Sequence, residues 1–162
     1  MQNLEWKWDY EVLTGLRFAE GPWSDEPDKK QWSDPETGLP CLIVRNNLGA
    51  LCGYVGVPSQ HPYYGISGED LELDVHGGIT FTRKCNESAD PSVGICHLVE
   101  PGEDDNVWWI GFDCCHCNDL TPSILSVREK LPRITFLDET YKNIEFVEAE
   151  VTRLAQQLAT LR

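Results

Sequence analysis

Residues 107–119 read Val-Trp-Trp-Ile-Gly-Phe-Asp-Cys-Cys-His-Cys-Asn-Asp. Side chains alternate across an extended chain. Val107, Trp109, Gly111 and Asp113 therefore share one face, and Trp108, Ile110, Phe112 and Cys114 share the other. Both faces are largely apolar, which predicts a strand covered on both sides. The strand then empties into Asp113, Cys114, Cys115, His116, Cys117 and Asp119. A rigid element thus delivers a dense group of polar and thiol side chains to one place.

Partners for this strand lie upstream. Residues 41–45 (Cys-Leu-Ile-Val-Arg) and 51–57 (Leu-Cys-Gly-Tyr-Val-Gly-Val) are apolar runs separated by Asn46-Asn47-Leu48-Gly49, which predicts a β-hairpin. Cys41 and Cys52 read as small core residues. Leu71, Leu73 and Val75 alternate with acids, Gly77-Gly78 permits a bend, and Ile79 and Phe81 resume the alternation. Short strands are expected at 94–99 and 134–137. Downstream, Ile144, Val147, Val151, Leu154, Ala155, Leu158 and Leu161 keep the spacing of one helix face, with Glu145, Glu148, Arg153 and Gln157 opposite. This predicts a helix over 140–161, capped by Asp138 or Thr140 with Glu139 in its first turn. The expected fold is α+β: one domain over residues 1–162, with a central antiparallel sheet and a long C-terminal amphipathic helix packed on it.

The ends of the pattern are less regular. Trp6, Trp8, Tyr10 and Val12 alternate with polar residues, which predicts a strand, with a short helix over 10–19 as the competing assignment. Residues 21–40 hold four prolines among Asp and Ser and are read as one long loop. Trp23 and Trp32 argue against disorder there. The loop is either a belt over the core edge or a lid over a pocket. Residues 58–70 read as a turn-rich loop with exposed aromatics, in which His61 is either solvated or a ligand contact.

A net charge of −14 over 162 residues opposes a nucleic-acid backbone or an anionic membrane surface as partner. A small anionic ligand is still allowed, because one Arg or a few backbone N–H groups can dominate locally. No apolar run reaches the length of a membrane span. The first residues lack the pattern of a secretory signal, so the seven cysteines are expected to be reduced thiols in a cytoplasm.

Three chemistries compete for the cluster after the strand. Metal binding could use Cys114, Cys115, His116, Cys117 and Asp119, with His76, Cys96 and His97 converging. The thiols, however, lack knuckle spacing and alternate in direction, so no metal and no other cofactor is expected. A cysteine nucleophile would pair Cys114 with His76 or His116, without a recognisable nucleophile motif. A binding pocket would use Trp23, Trp32 and Trp109 for stacking and the Gly77-Gly78 bend for close backbone approach. His76, Asp113, His116 and Asp119 would direct hydrogen bonds, and Arg45 and His61 complete the candidate contacts. His76 is as readily a structural histidine as a site residue.

The motifs Gly21-Pro22-Trp23, Glu26-Pro27-Asp28-Lys29 and Trp32 recur in a recognisable order with Thr37-Gly38-Leu39-Pro40-Cys41-Leu42-Ile43. Gly49-Ala50-Leu51-Cys52-Gly53-Tyr54-Val55-Gly56-Val57-Pro58, Asp74-Val75-His76-Gly77-Gly78 and Trp108-Trp109-Ile110-Gly111-Phe112-Asp113-Cys114 follow. Over residues 20–120 and the closing helix, this resembles a family of small, mainly uncharacterised proteins of bacteriophage and bacterial genomes. Cys115 and Cys117 depart from the family pattern, which leaves Cys114, His116 and Asp119 as the matched positions. The resemblance implies a cytoplasmic phage protein that sequesters a nucleotide-derived immune signal, of the ADP-ribose or cyclic-nucleotide type, without turnover. A homodimer fits that reading. A small hydrolase acting on a nucleotide-like substrate, dependent on metal or on Cys and His, is the alternative.

Overall fold

The computed structural model describes residues 1–85, 90–131 and 139–161. Six strands form one antiparallel sheet: β1 (Leu4–Trp6), β2 (Lys29–Ser33), β3 (Pro40–Arg45), β4 (Leu51–Pro58), β5 (Phe81–Lys84) and β6 (Val107–Asp113). Their order is β1-β2-β3-β4-β6-β5. Three helices accompany them: α1 (Tyr10–Thr14), α2 (Pro122–Lys130) and α3 (Ile144–Thr160). The α+β expectation holds, and α3 packs on β4.

Alternation explains which face goes where. On one side, Ile43, Leu51, Val55, Val57, Ile110, Phe112 and Cys114 meet Val147, Val151, Leu154, Ala155 and Leu158 of α3. On the other, Leu42, Val44, Cys52, Tyr54, Val107 and Trp109 form a second cluster under Trp8, Phe81 and Ile95. β6 is therefore buried on both faces, as its composition requires. The helix approaches closely because residue 53 is glycine. A Cβ there would lie 2.6 Å from Val151 and 2.7 Å from Phe112. Burial of each large aliphatic side chain along this seam is worth roughly 1.5–3 kcal/mol.

Several expectations need correction. The N-terminal strand stops at Trp6, and residues 10–14 are helical, because Asp9 caps the helix and Gly15 ends it in a left-handed conformation. Residues 21–40 are not one loop, since they hold a 3₁₀ turn at Pro22–Asp25 and the whole of β2. Strand β2 escaped notice because its inward side chains are Lys29 and Gln31, both fully buried. Lys29 Nζ donates to the carbonyls of Pro91, Gly94 and Cys96. Gln31 accepts from Leu98 N at 2.8 Å and donates to Leu98 O at 3.1 Å. That side chain makes the bonds of a ladder, and residues 94–99 form no strand. Tyr63 and Tyr64 are half-buried rather than exposed.

Helix α2 begins at Pro122 behind the Thr121 cap, where proline favours a start rather than a break. Helix α3 begins later than expected, with Asn143 as cap and Glu145 in the first turn. The strand expected at 134–137 and the cap at Asp138 lie outside the described residues. Cys85 and Cys96 are joined as a disulfide, so those two are not reduced thiols. Among the described residues, no helix is long and apolar enough to cross a membrane.

Candidate functional site

The site is assembled where β6 ends. Asp113 closes the strand and accepts from the backbone N–H of Cys115 at 3.0 Å, which turns the chain. The turn continues until Asp119 N donates to His116 O at 2.9 Å. In return, Asp119 Oδ2 accepts from His116 N at 3.0 Å. A short parallel bridge between Asp119 and Thr140 fastens this turn to the chain entering α3. Asp119 is thereby almost fully buried while sitting beside a surface turn.

His76 arrives from a second turn. Gly78 N donates to Val75 O at 3.0 Å, and Gly77 takes the left-handed conformation, with φ of 69°. The backbone N–H of His76 donates to Glu150 Oε2 of α3 at 2.8 Å, and Phe146 of α3 packs edge-on against the imidazole. Thus fixed, His76 Nε2 lies 2.8 Å and 3.0 Å from the two carboxylate oxygens of Asp119. His116 Nδ1 lies 3.3 Å from Asp119 Oδ2, and its Nε2 lies 3.8 Å from Asp113 Oδ1. The two imidazoles meet edge to face with centroids 5.3 Å apart.

Burial pushes the Asp119 carboxyl up. The bonds from His76, from His116 N and from Lys142 outweigh it and hold its pKa below the ordinary value. Lys142 Nζ stands 3.3 Å from Asp119 Oδ1. His76, His116 and Asp119 each offer one ligand atom, and these atoms lie within 4.8 Å of one another. Among the described residues, these three could hold a metal ion.

The thiols do not join the cluster. Burial pushes Cys114 up, reinforced by the Asp119 carboxylate, and burial also raises Cys115. A nucleophilic cysteine needs the opposite shift.

Of the predicted contacts, the structure brings together His76, Gly77, Asp113, His116 and Asp119. The others go elsewhere. Trp23 is buried and donates to Ala19 O at 2.9 Å, so the belt reading of its loop describes it better than a lid. Trp32 packs against the α3 side of the core, with Lys30 Nζ 5.7 Å from its ring centre. Trp109 is fully buried beside His97, with its Nε1 unbonded among the described residues. Arg45 is buried against Asp28 at 2.6 Å and Glu26 at 3.4 Å. His61 sits against the carbonyl of Leu158 at 2.9 Å, near the end of α3. Gly78 N–H is spent within its own turn, so the bend does not present it to a phosphate.

Sequence reasoning missed Glu150, Lys142 and Phe146. Glu150 had a visible signal, because it falls on the buried stripe three residues after Val147 and one before Val151. A cavity of about 420 Å³ lies apart from the cluster. Arg45, Asn46, Tyr54, Phe81 and Arg83 are among its lining residues. No protein-family model, curated protein or solved structure matches this chain.

Proposed function

We propose that the protein binds a small nucleotide-type ligand of the ADP-ribose or cyclic-nucleotide class at the His76–His116–Asp119 face. It holds the ligand without turnover, as a phage protein that sequesters an immune signal would. The observation that carries this reading is the meeting of two half-exposed imidazoles at one buried carboxylate. The frame around them is rigid: a strand end, a glycine turn and a helix hold each member in place. Such groups direct hydrogen bonds to sugar hydroxyls and base edges. With Trp23, Trp32 and Trp109 engaged elsewhere, the imidazole rings supply the aromatic surface. The raised thiols of Cys114 and Cys115 argue against either of them as a nucleophile at this face.

Hydrolysis of the same ligand is the second reading. The contact between His76 and Asp119 favours it, because a carboxylate behind an imidazole orients a general base. One experiment separates the two. The protein is mixed with cyclic dinucleotides and ADP-ribose derivatives, the free pool is measured, and the protein is then heat-denatured. Sequestration predicts depletion of one compound and its intact recovery. Recovery of an altered compound indicates hydrolysis, and depletion of none refutes both readings.

A further inference from the structure

We infer that His76, His116 and Asp119 form a binding site for a single divalent transition-metal ion of the zinc type, with coordination positions left open for a ligand. The donor set comes first. Two imidazole nitrogens and one carboxylate oxygen already lie within 4.8 Å of one another. Donors around a tetrahedral ion at about 2 Å stand roughly 3.3 Å apart. The separation of His116 Nδ1 from Asp119 Oδ2 is 3.3 Å and that of His76 Nε2 from the same oxygen is 2.8 Å. Both donor pairs that include Asp119 are thus near that spacing and the two imidazole nitrogens lie within 4.8 Å of each other, so side-chain adjustment suffices to surround an ion.

The groups behind the donors are the second observation. A metal-bound histidine usually turns its other nitrogen towards a carboxylate, which fixes the ring and strengthens the donor. Asp113 Oδ1 stands 3.8 Å from Nε2 of His116, on the side away from Asp119. His76 is fixed differently, by the Glu150 carboxylate on its backbone N–H and by Phe146 against its ring. Asp119 has Oδ1 beside Lys142 and Oδ2 nearest to both histidines, with His76 Nε2 also 3.0 Å from Oδ1. One carboxylate oxygen thus remains neutralised by Lys142 when the second is given to an ion.

Third, the chemistry of the set selects the metal class. Two imidazoles with one carboxylate suit zinc and its neighbours, and disfavour calcium or magnesium, which take oxygen shells. Three protein donors with an open position is the pattern of catalytic zinc sites, whereas closed structural sites use four, so an occupied site favours the hydrolytic reading over retention. The expectation of no metal rested on the spacing of the thiols, and this donor set contains no thiol.

The inference rests on the proposed ligand site in sharing its residues, and it supplies what that site lacks. The carboxylates of Asp113, Asp119 and Glu150 outnumber the cations Lys142 and Arg153 beside them, in a chain of net charge −14, which disfavours a phosphate. A divalent ion there reverses the local sign.

The test uses the metal alone, so its outcome is independent of any nucleotide. The full-length protein is stripped with chelator and titrated with zinc, with elemental analysis of the dialysed product. Cobalt(II) provides a visible absorption spectrum as a second readout. We expect one zinc per chain and a cobalt spectrum free of the intense thiolate-to-metal band. His116→Ala and Asp119→Asn should each weaken zinc at least tenfold, whereas Cys117→Ser should leave it unchanged. Circular dichroism of each variant checks the fold. Since Asp119 is buried, half-exposed His116 carries the decision if Asp119→Asn unfolds. Failure of the wild-type protein to take up zinc overturns the inference. So does a thiolate band, or zinc affinity that His116→Ala leaves intact. A protein that binds zinc but depletes no nucleotide keeps the metal site and loses the ligand reading. A protein that depletes a nucleotide but takes up no zinc does the reverse.

Discussion

A Cβ placed on Gly77 would stand 1.9 Å from Cε1 of His116. The imidazole lies against bare backbone, so any Cβ at residue 77 would push the ring aside, in addition to the cost of its left-handed conformation. The neighbouring Gly78 also has positive φ, 84°, but a Cβ there meets open space. This pair makes an internal control. Both alanine substitutions incur the left-handed backbone cost, about 1–2 kcal/mol. Only Gly77→Ala also displaces His116. Denaturant unfolding should show Gly77→Ala as the more destabilised, and ligand retention should fall for it alone.

Arg45 was a candidate ligand contact and is a structural charge. Its guanidinium donates to Asp28, to Gly49 O and to the Tyr141 hydroxyl, while Glu26 accepts from Tyr141 at 2.5 Å and from Ile144 N at 2.8 Å. This network ties β3 to the start of α3. Removing one member leaves buried charges without partners, which typically costs about 3–5 kcal/mol. Arg45→Ala should therefore lower stability by that order, measured by chemical denaturation. An Arg45→Ala variant of unchanged stability would remove the structural assignment.

Lys29 gives a pH prediction. Burial lowers its pKa from 10.5 to about 8. Between those values the unfolded chain keeps a proton that the folded chain has released, so stability rises with pH across that window. Below about pH 8 both states are protonated and the burial cost is fully present. Replacing it by Lys29→Met should abolish this rise, roughly 1–3 kcal/mol between pH 8 and 10.5. Unfolding curves of both proteins at several pH values check it. Parallel pH dependence in the two would contradict it.

Leu154 tests the helix seam. It is fully buried between α3 and the sheet. Leu154→Ala should cost roughly 2–5 kcal/mol, from lost burial and a residual cavity. A chain ending at Glu139 should fail to melt cooperatively. Retention of the full-length melting temperature by that shorter chain would refute the role of α3 as the cover of the sheet.

Strands β3, β4 and β6 and helix α3 were legible in sequence because apolar periodicity marks whichever face is buried. Strand β2 was not, since Lys29 and Gln31 enter the interior by donating to backbone carbonyls, and a periodicity reading counts them as solvent-facing. The cluster itself was half legible. His76, Gly77, Asp113, His116 and Asp119 stood out because polar or small residues interrupt apolar alternation there. The tryptophans misled, since composition does not say which of them the core will claim. The helix contribution was hidden for another reason. Lys142, Phe146 and Glu150 reach the site only through the tertiary placement of α3 on β4.

The most direct test of the central claim is native mass spectrometry of the full-length protein after incubation with the candidate nucleotides, compared with His76→Ala. The account predicts a ligand-bound mass for the wild-type chain, intact ligand on denaturation, and at least tenfold less bound ligand for the variant at equal circular dichroism. Equal occupancy in the two proteins, or no bound nucleotide in either, would contradict it.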